Sequence, residues 1–153
     1  MPTLANNKKI YYNYQIIQTF EAGIALSGPE VKSVRAGQIN LSGGYISCDP
    51  AGSLWLKNVH IAPYPPAFTN QQNYNPLQNR RLLLHKKEIS SLTGKISITG
   101  HTLVPLKVYT KNRLIKIEIG LAKGKKKWDK RETIKKRESE RKIQQILKRN
   151  HSN

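Results

Sequence analysis

Residues 102–121 read Thr-Leu-Val-Pro-Leu-Lys-Val-Tyr-Thr-Lys-Asn-Arg-Leu-Ile-Lys-Ile-Glu-Ile-Gly-Leu. Thr102–Tyr109 and Leu114–Leu121 are strand-type runs rich in β-branched and aromatic residues. Lys111-Asn112 lies between them, so the stretch predicts a β-hairpin. Upstream, Gly43-Gly44 predicts a turn into a strand over Tyr45–Cys48. Asp49-Pro50-Ala51-Gly52 turns the chain into a returning strand over Ser53–His60, a second hairpin. Tyr14–Phe20 is another strand-type run, and its pattern resumes through Ala22–Leu26.

Two short helices interrupt the strands. One is opened by Gly28-Pro29-Glu30, runs through Arg35 and stops at Gly37. The other covers Lys86–Leu92 and is closed by Gly94. Leu82–Leu84 reads as a buried run. Ala62 to Asn79 is a loop with four of the eight prolines, and its length points to function or mobility. Short strands, turn signals and two small helices predict a mainly β fold. The expected form is a small antiparallel oligonucleotide-binding-type β-barrel with flanking short helices, since closure removes exposed sheet edges.

The chain has 153 residues, enough for one compact core and an appendage. Its 27 basic and 9 acidic residues leave a net charge of +18. Residues 1–122 carry 14 basic and 5 acidic side chains, a net of +9. Residues 123–153 carry 13 basic and 4 acidic ones, also +9. The shift divides the chain into a body, 1–122, and a basic C-terminal tail, 123–153. Past Asp129 the tail is rich in helix formers, and Glu132–Lys136 and Glu138–Lys142 are favourable (i, i+4) pairs. Three aliphatics, Ile143, Ile146 and Leu147, are too few to hold a free helix of this charge. The tail is expected to be disordered alone and helical once an anion neutralises it.

Such charge points to a polyanion, nucleic acid first and an acidic membrane surface second. The tail lacks the apolar face a membrane would require, and no run of 18 apolar residues exists to span one. Met1–Ile10 has no apolar core of a signal peptide. Cys48 is the sole cysteine, which excludes an intramolecular disulfide and a cysteine-based zinc site. A cytoplasmic, reducing home is expected. The sequence has no Gly-rich phosphate loop before a helix, no His-Glu-x-x-His and no Gly-x-Ser-x-Gly. His60, His85, His101 and His151 lack metal-ligand spacing. Hence no catalytic residue, metal or cofactor is expected, and an enzyme is disfavoured.

Binding chemistry is present instead. Arg80-Arg81 precedes the Leu run and Lys86-Lys87 follows it, placing cations at both ends of a strand. This is either a phosphate grip or a solvated edge. Tyr11, Tyr12 and Tyr14 adjoin Lys8 and Lys9. They suit base stacking beside phosphate contacts, or alternate burial in a core strand. Trp128 sits between Lys125-Lys126-Lys127 and Asp129-Lys130-Arg131, with no core of its own to enter. A partner surface or a base is its expected contact.

These residues also carry a family pattern. The chain resembles the SsrA-binding proteins (small protein B, SmpB), partners of transfer-messenger RNA. The matching segments are Tyr14, Phe20–Leu26, Gly28, Glu30–Gly37, Asn40-Leu41, His60–Tyr64, Arg81–His85 and Glu88-Ile89. They continue through Gly100, Leu103–Leu106, Tyr109, Ala122–Lys126 and Asp129–Arg131, in order along nearly the whole chain. The resemblance implies a non-enzymatic trans-translation factor. Its barrel would grip the tRNA-like domain of transfer-messenger RNA (SsrA RNA). Alanyl-tRNA synthetase and elongation factor Tu would be engaged indirectly, through the RNA. On a stalled ribosome the tail would enter the empty mRNA channel near the small-subunit decoding centre. A monomer is expected. The alternative is a general RNA-binding or ribosome-associated protein.

Carried over residue by residue, the resemblance implies RNA contacts at Asn7, Glu21, Leu83 and His85, where Asn also occurs in the family. Arg80 and Arg81 join them as the cationic pair. Read without the resemblance, Glu21 is a strand-end surface charge and Leu83 is barrel core. Gly124 would be the hinge, and Lys123, Lys125, Lys126, Asp129, Lys130 and Arg131 the functional start of the tail. Ile146 and Leu147 match the apolar pair near its end. Trp128 departs from the His common in the family; it can stack but cannot carry a proton charge.

Overall fold

The computed structural model describes residues 2–65, 73–98, 100–125 and 135–146. Among these, the chain runs β1 (Thr3–Asn6), α1 (Ile10–Asn13), β2 (Tyr14–Ile24), α2 (Gly28–Arg35), β3 (Ile39–Asn40) and β4 (Tyr45–Cys48). It continues through β5 (Leu54–Lys57), β6 (His60–Ile61), β7 (Arg80–Leu83), α3 (Lys86–Ile96), β8 (His101–Lys111) and β9 (Leu114–Gly124). A further helix, α4, covers residues 135–146.

Every strand pairing is antiparallel. Strands β8, β4, β5, β7, β2 and β9 follow one another, and β9 pairs back onto β8. The sheet therefore closes into the expected barrel, and β1 pairs with β8 beyond the single β4 contact at Ile46↔Leu103. Strands β3 and β6 form a separate small pair.

The β8–β9 hairpin turns on Asn112 and Arg113, both at positive φ (51° and 66°). Two consecutive left-handed residues match the strand twist, as in a type I′ turn. The turn thus lies one residue later than Lys111-Asn112 predicts. The Arg113 carbonyl accepts from Arg35 Nη2 at 2.8 Å, tying the turn to α2. Pro105, inside β8, sits where the β8–β9 register shifts. A proline has no N–H for the ladder, so a bulge is where a long strand can hold one.

Strand alternation sends Leu54, Leu56, Leu82, Ile117 and Ile119 inward, each nearly inaccessible. At the other end of β8 and β9 both faces are covered. There Ile10 of α1 packs on Val104, Leu106 and Ala122, with Tyr14 and Ile16 beside them. Tyr14 therefore takes the core reading, while Tyr11 stays 43% exposed. Helix α3 runs through Gly94 rather than ending there. Leu92 is buried and Ile89 and Ile96 pack on the core, and this burial outweighs the roughly 1 kcal/mol cost of a helical glycine.

Helix α2 begins with a capping box. The Glu30 N–H donates to Ser27 Oγ at 3.4 Å, and the Ser27 N–H donates to Glu30 Oε1 at 3.1 Å. Glu30 Oε2 accepts from Arg80 Nε at 2.8 Å and lies 2.7 Å from Arg80 Nη2. Arg80 also donates to the carbonyls of Val59 (2.6 Å) and Pro76 (2.9 Å) and to the Tyr74 hydroxyl (3.0 Å). The Tyr74 hydroxyl lies 3.0 Å from Glu30 Oε2. One buried guanidinium thus joins α2, β7 and the long loop. Burial pushes the Glu30 carboxyl up. The Ser27 N–H, Arg80 and Tyr74 outweigh it, and the net shift is downward.

Gly44 is required by space. A Cβ there would lie 2.5 Å from Val59 Cγ2, 3.0 Å from the Leu41 carbonyl oxygen and 3.2 Å from Pro105 Cγ. Gly44→Ala is expected to cost about 1–3 kcal/mol through overpacking. Urea denaturation would register this as a lower midpoint at unchanged slope.

The last strand overruns the predicted body. Strand β9 continues through Lys123 and Gly124, which pair with Gln15 and Tyr14. The Lys125 N–H then donates to the Asn13 carbonyl at 2.8 Å. All of α4 is exposed, with Ile143 and Ile146 each at 57%.

Candidate nucleic-acid interface

Strand period two decides which side chains face outward. On β2, Glu21 and Gly23 share the outer face. The register places Glu118 opposite Glu21 and Lys116 opposite Gly23 on β9. On the other flank, Leu83 of β7 lies opposite Gly23, and Trp55 of β5 lies opposite Arg81. Strand β8 adds Lys107 opposite Glu118 and Tyr109 opposite Lys116. The outer face is thus a mixed field: three lysines with Lys111, two carboxylates, one guanidinium and one bare leucine.

Leu83 is 53% exposed, against the expectation of a buried Leu run; only Leu82 of that run is fully buried. Gly23 permits the placement. A Cβ on Gly23 would lie 3.3 Å from Leu83 Cβ, so the leucine rests over the space a side chain would occupy. Leu83 also lines a cleft of about 450 Å³ with Arg81, Lys86 and Ile89.

Glu21 is held rather than free. The Tyr109 hydroxyl donates to Glu21 Oε2, and Lys111 Nζ lies 3.4 Å from Glu21 Oε1. The Tyr109 bond, then Lys111 and Lys116, hold the carboxyl below its usual range against a smaller opposing effect of desolvation. Burial and the Glu21 contact push the Tyr109 phenol well above its ordinary value. At neutral pH the result is a fixed carboxylate with spare lone pairs, beside a neutral phenol. It lines a hollow of about 360 Å³ with Thr3, Thr19 and Phe20. A fixed carboxylate can accept hydrogen bonds from base amino and imino groups, whereas it repels phosphate.

The expected site residues separate. Glu21, Leu83 and Arg81 share the outer face. His85 follows β7 as the N-terminal flanking residue of α3; its side chain caps nothing and is exposed. Arg80 fails as a phosphate grip. It is 2% exposed and committed to Glu30 and three oxygens, because it stands at the inward parity of β7. Asn7 is buried as well, at 5% exposed. Its Nδ2 donates to the Pro105 carbonyl at 2.9 Å and its backbone N–H to the Leu106 carbonyl at 2.8 Å. Its Nδ2 clamps the β8 bulge, while the residue also lines a hollow of about 500 Å³ with Lys9, Asn13 and Tyr45.

Of the tail residues, Lys123 and Gly124 lie in β9, and Gly124 has no left-handed φ. Lys125 immediately follows, and Ile146 is on α4. Lys126, Trp128, Asp129, Lys130, Arg131 and Leu147 lie outside the described residues. Sequence reading missed Trp55, Lys107, Lys111 and Lys116 as outer-face residues and Tyr109 as the partner of Glu21. Only the register places them there. Among the described residues no cluster of three or more His, Cys, Asp or Glu could hold a metal, and no helix is long and apolar enough to cross a membrane.

Comparison with known proteins gives a consistent result. The family model described as SmpB protein matches residues 4–149. An SsrA-binding protein of Ligilactobacillus salivarius (strain UCC118) is 52% identical over 145 residues, covering 95% of this chain and 92% of the relative. One from Roseiflexus sp. (strain RS-1) is 50% identical, covering 95% and 90%. A solved chain described as "tmRNA-SmpB: a journey to the center of the bacterial ribosome" superimposes with a TM-score of 0.64 at 43% identity. That superposition covers 80% of this chain and 85% of the other.

Proposed function

This chain belongs to the SmpB protein family, and from that premise we propose that it works as a trans-translation factor, binding SsrA RNA on the ribosome. Relatives named for SsrA binding match 95% of the chain at about half identity. The observation that carries the finer reading is the outer face, where an oriented carboxylate at Glu21 shares a surface with bare Leu83 and with Arg81.

The division of labour follows from the chemistry. Arg81, Lys111 and Lys116 supply phosphate contacts, which give affinity without sequence information. Glu21 accepts from base edges and orients the tRNA-like domain. Leu83 covers a ribose or base face, and His85 reaches the RNA at the end of β7. The body carries the RNA, and the basic tail enters the vacated mRNA channel among ribosomal RNA phosphates. The family is one of RNA-binding proteins, and no catalytic step is assigned.

The test is a competition titration of labelled tRNA-like domain at physiological salt against excess elongator tRNA. Binding by the full chain should survive the competitor. Glu21→Gln should weaken it roughly 10- to 150-fold, the scale of a lost charge-assisted hydrogen bond. Leu83→Ala should weaken it about tenfold, from the apolar area left uncovered. Competition that erases binding, with both variants unchanged, would leave only a general RNA-binding protein.

A further inference from the structure

One groove lies where the outer face meets α4. It has a volume of about 650 Å³ and is lined by Lys8, Lys9, Tyr11, Lys107, Arg137 and Arg141, with Asn6 and Glu118. That is ligand-sized. Five of the eight lining residues are cations. The one carboxylate, Glu118, is already taken by Lys107 at 3.2 Å. Lys8, Lys9, Arg137 and Arg141 form no ion pair with a carboxylate among the described residues.

Two features show that the arrangement is not explained by the protein's own contacts. Arg137 and Arg141 are four residues apart on α4, so they share one helix face, where like charges repel. No residue of α4 is buried, so packing does not repay the repulsion from Lys8 and Lys9. An anion between the body and α4 would turn each of these repulsions into an attraction. Tyr11 contributes a 43% exposed ring to the same groove, and an aromatic face among cations suits a nucleobase better than an acidic peptide. Lys107 and Glu118 also line the Glu21 hollow, so the groove continues the outer face round to α4.

We infer that this groove is a second RNA-binding site, in which a single-stranded segment lays its phosphates against Lys8, Lys9, Arg137 and Arg141 and stacks a base on Tyr11. The choice of RNA rests on the family reading; the site itself rests on the groove. Binding there clamps α4 to the body and couples the position of the tail helix to RNA held by the barrel.

The test uses the full chain and a fluorescent single-stranded RNA decamer, titrated between 50 and 200 mM salt. Four neutralised phosphates give a log–log salt slope near −2.8, an affinity loss of about 50-fold over that range. Arg137→Gln with Arg141→Gln should bring the slope to about −1.4. Tyr11→Ala should weaken binding about tenfold at unchanged slope, and Tyr11→Trp should restore it. Glu21→Gln should change decamer affinity less than twofold while damaging tRNA-like-domain binding, so failure of one reading is distinguishable from failure of the other. An unaltered slope in the arginine variant overturns the site, as does indifference to Tyr11→Ala. Equal competition by a polyglutamate peptide overturns its assignment to RNA.

Discussion

A chain ending at Lys125 is expected to hold the tRNA-like domain within a few-fold of the full chain's affinity, because screening confines the lost charge to a modest contribution. The same chain should support almost no peptide tagging on ribosomes stalled without a stop codon. Among the described residues the cut removes no core. Strand β9 ends at Gly124, and Lys125 closes against Asn13. Every buried residue among those described precedes the cut, and α4 is exposed throughout. What is lost is the second of two linked binding modules, and such losses typically reach 10²–10⁴-fold in avidity. The measurement is tag addition in a reconstituted translation system, beside a binding titration of the same preparation. A truncated chain that still tags at full rate would remove the tail from the mechanism. A chain that lost both activities would show that body and tail are not separable.

The largest expected effect on stability lies at Arg80. Arg80→Met should cost about 3–5 kcal/mol, because it leaves Glu30 as an uncompensated buried charge. At a typical urea slope of 1–3 kcal/mol per molar, the midpoint should fall by more than about 1 M. Adding Glu30→Gln should recover much of the loss, since the penalty comes from the stranded carboxylate more than from the missing pair. A cost under about 1 kcal/mol would mean the network is not needed for stability. The pH dependence has a definite sign. Glu30 is held below its ordinary carboxyl value of 4.5. Its contribution is complete at neutral pH and is lost as pH falls through the lowered value. Wild-type protein should therefore lose stability in acid below about pH 4, and Arg80→Met should lose less over the same range. The residue also has a functional consequence. It anchors the strand that carries Arg81 and Leu83, so the outer face depends on a guanidinium that faces inward.

Much of this molecule was legible along the chain. Strand-type runs punctuated by Gly, Pro and Asn predicted the antiparallel barrel, because hairpins are encoded by short-range turn chemistry. Charge counting divides the chain into 1–122 and 123–153, each at +9, whereas the last strand runs on to Gly124. The ordered motifs from Tyr14 to Arg131 were enough to indicate the family. The errors fell where a local pattern had two readings. Lys111-Asn112 marked the second hairpin one residue early, and Gly94 marked the end of a helix that burial carries on to Ile96.

The assignment of side chains to faces was not legible, and the reason is physical. Arg80 and Arg81 are identical neighbours, yet one is buried on Glu30 and the other exposed, because a strand turns successive residues to opposite faces. Which parity points inward is settled by pairing with β5 and β2, from distant parts of the chain. Without the family resemblance a leucine run reads as core; only Gly23 across the ladder shows how Leu83 stays outside. Without the resemblance Glu21 reads as a strand-end surface charge, because its partner Tyr109 is 88 residues away. Asn7 carries no local sign of burial, yet its Nδ2 is tied to the Pro105 carbonyl 98 residues away. Composition, turns and motifs are local and survive in the unfolded chain. Register, partnership and burial are non-local and exist only once the barrel has closed.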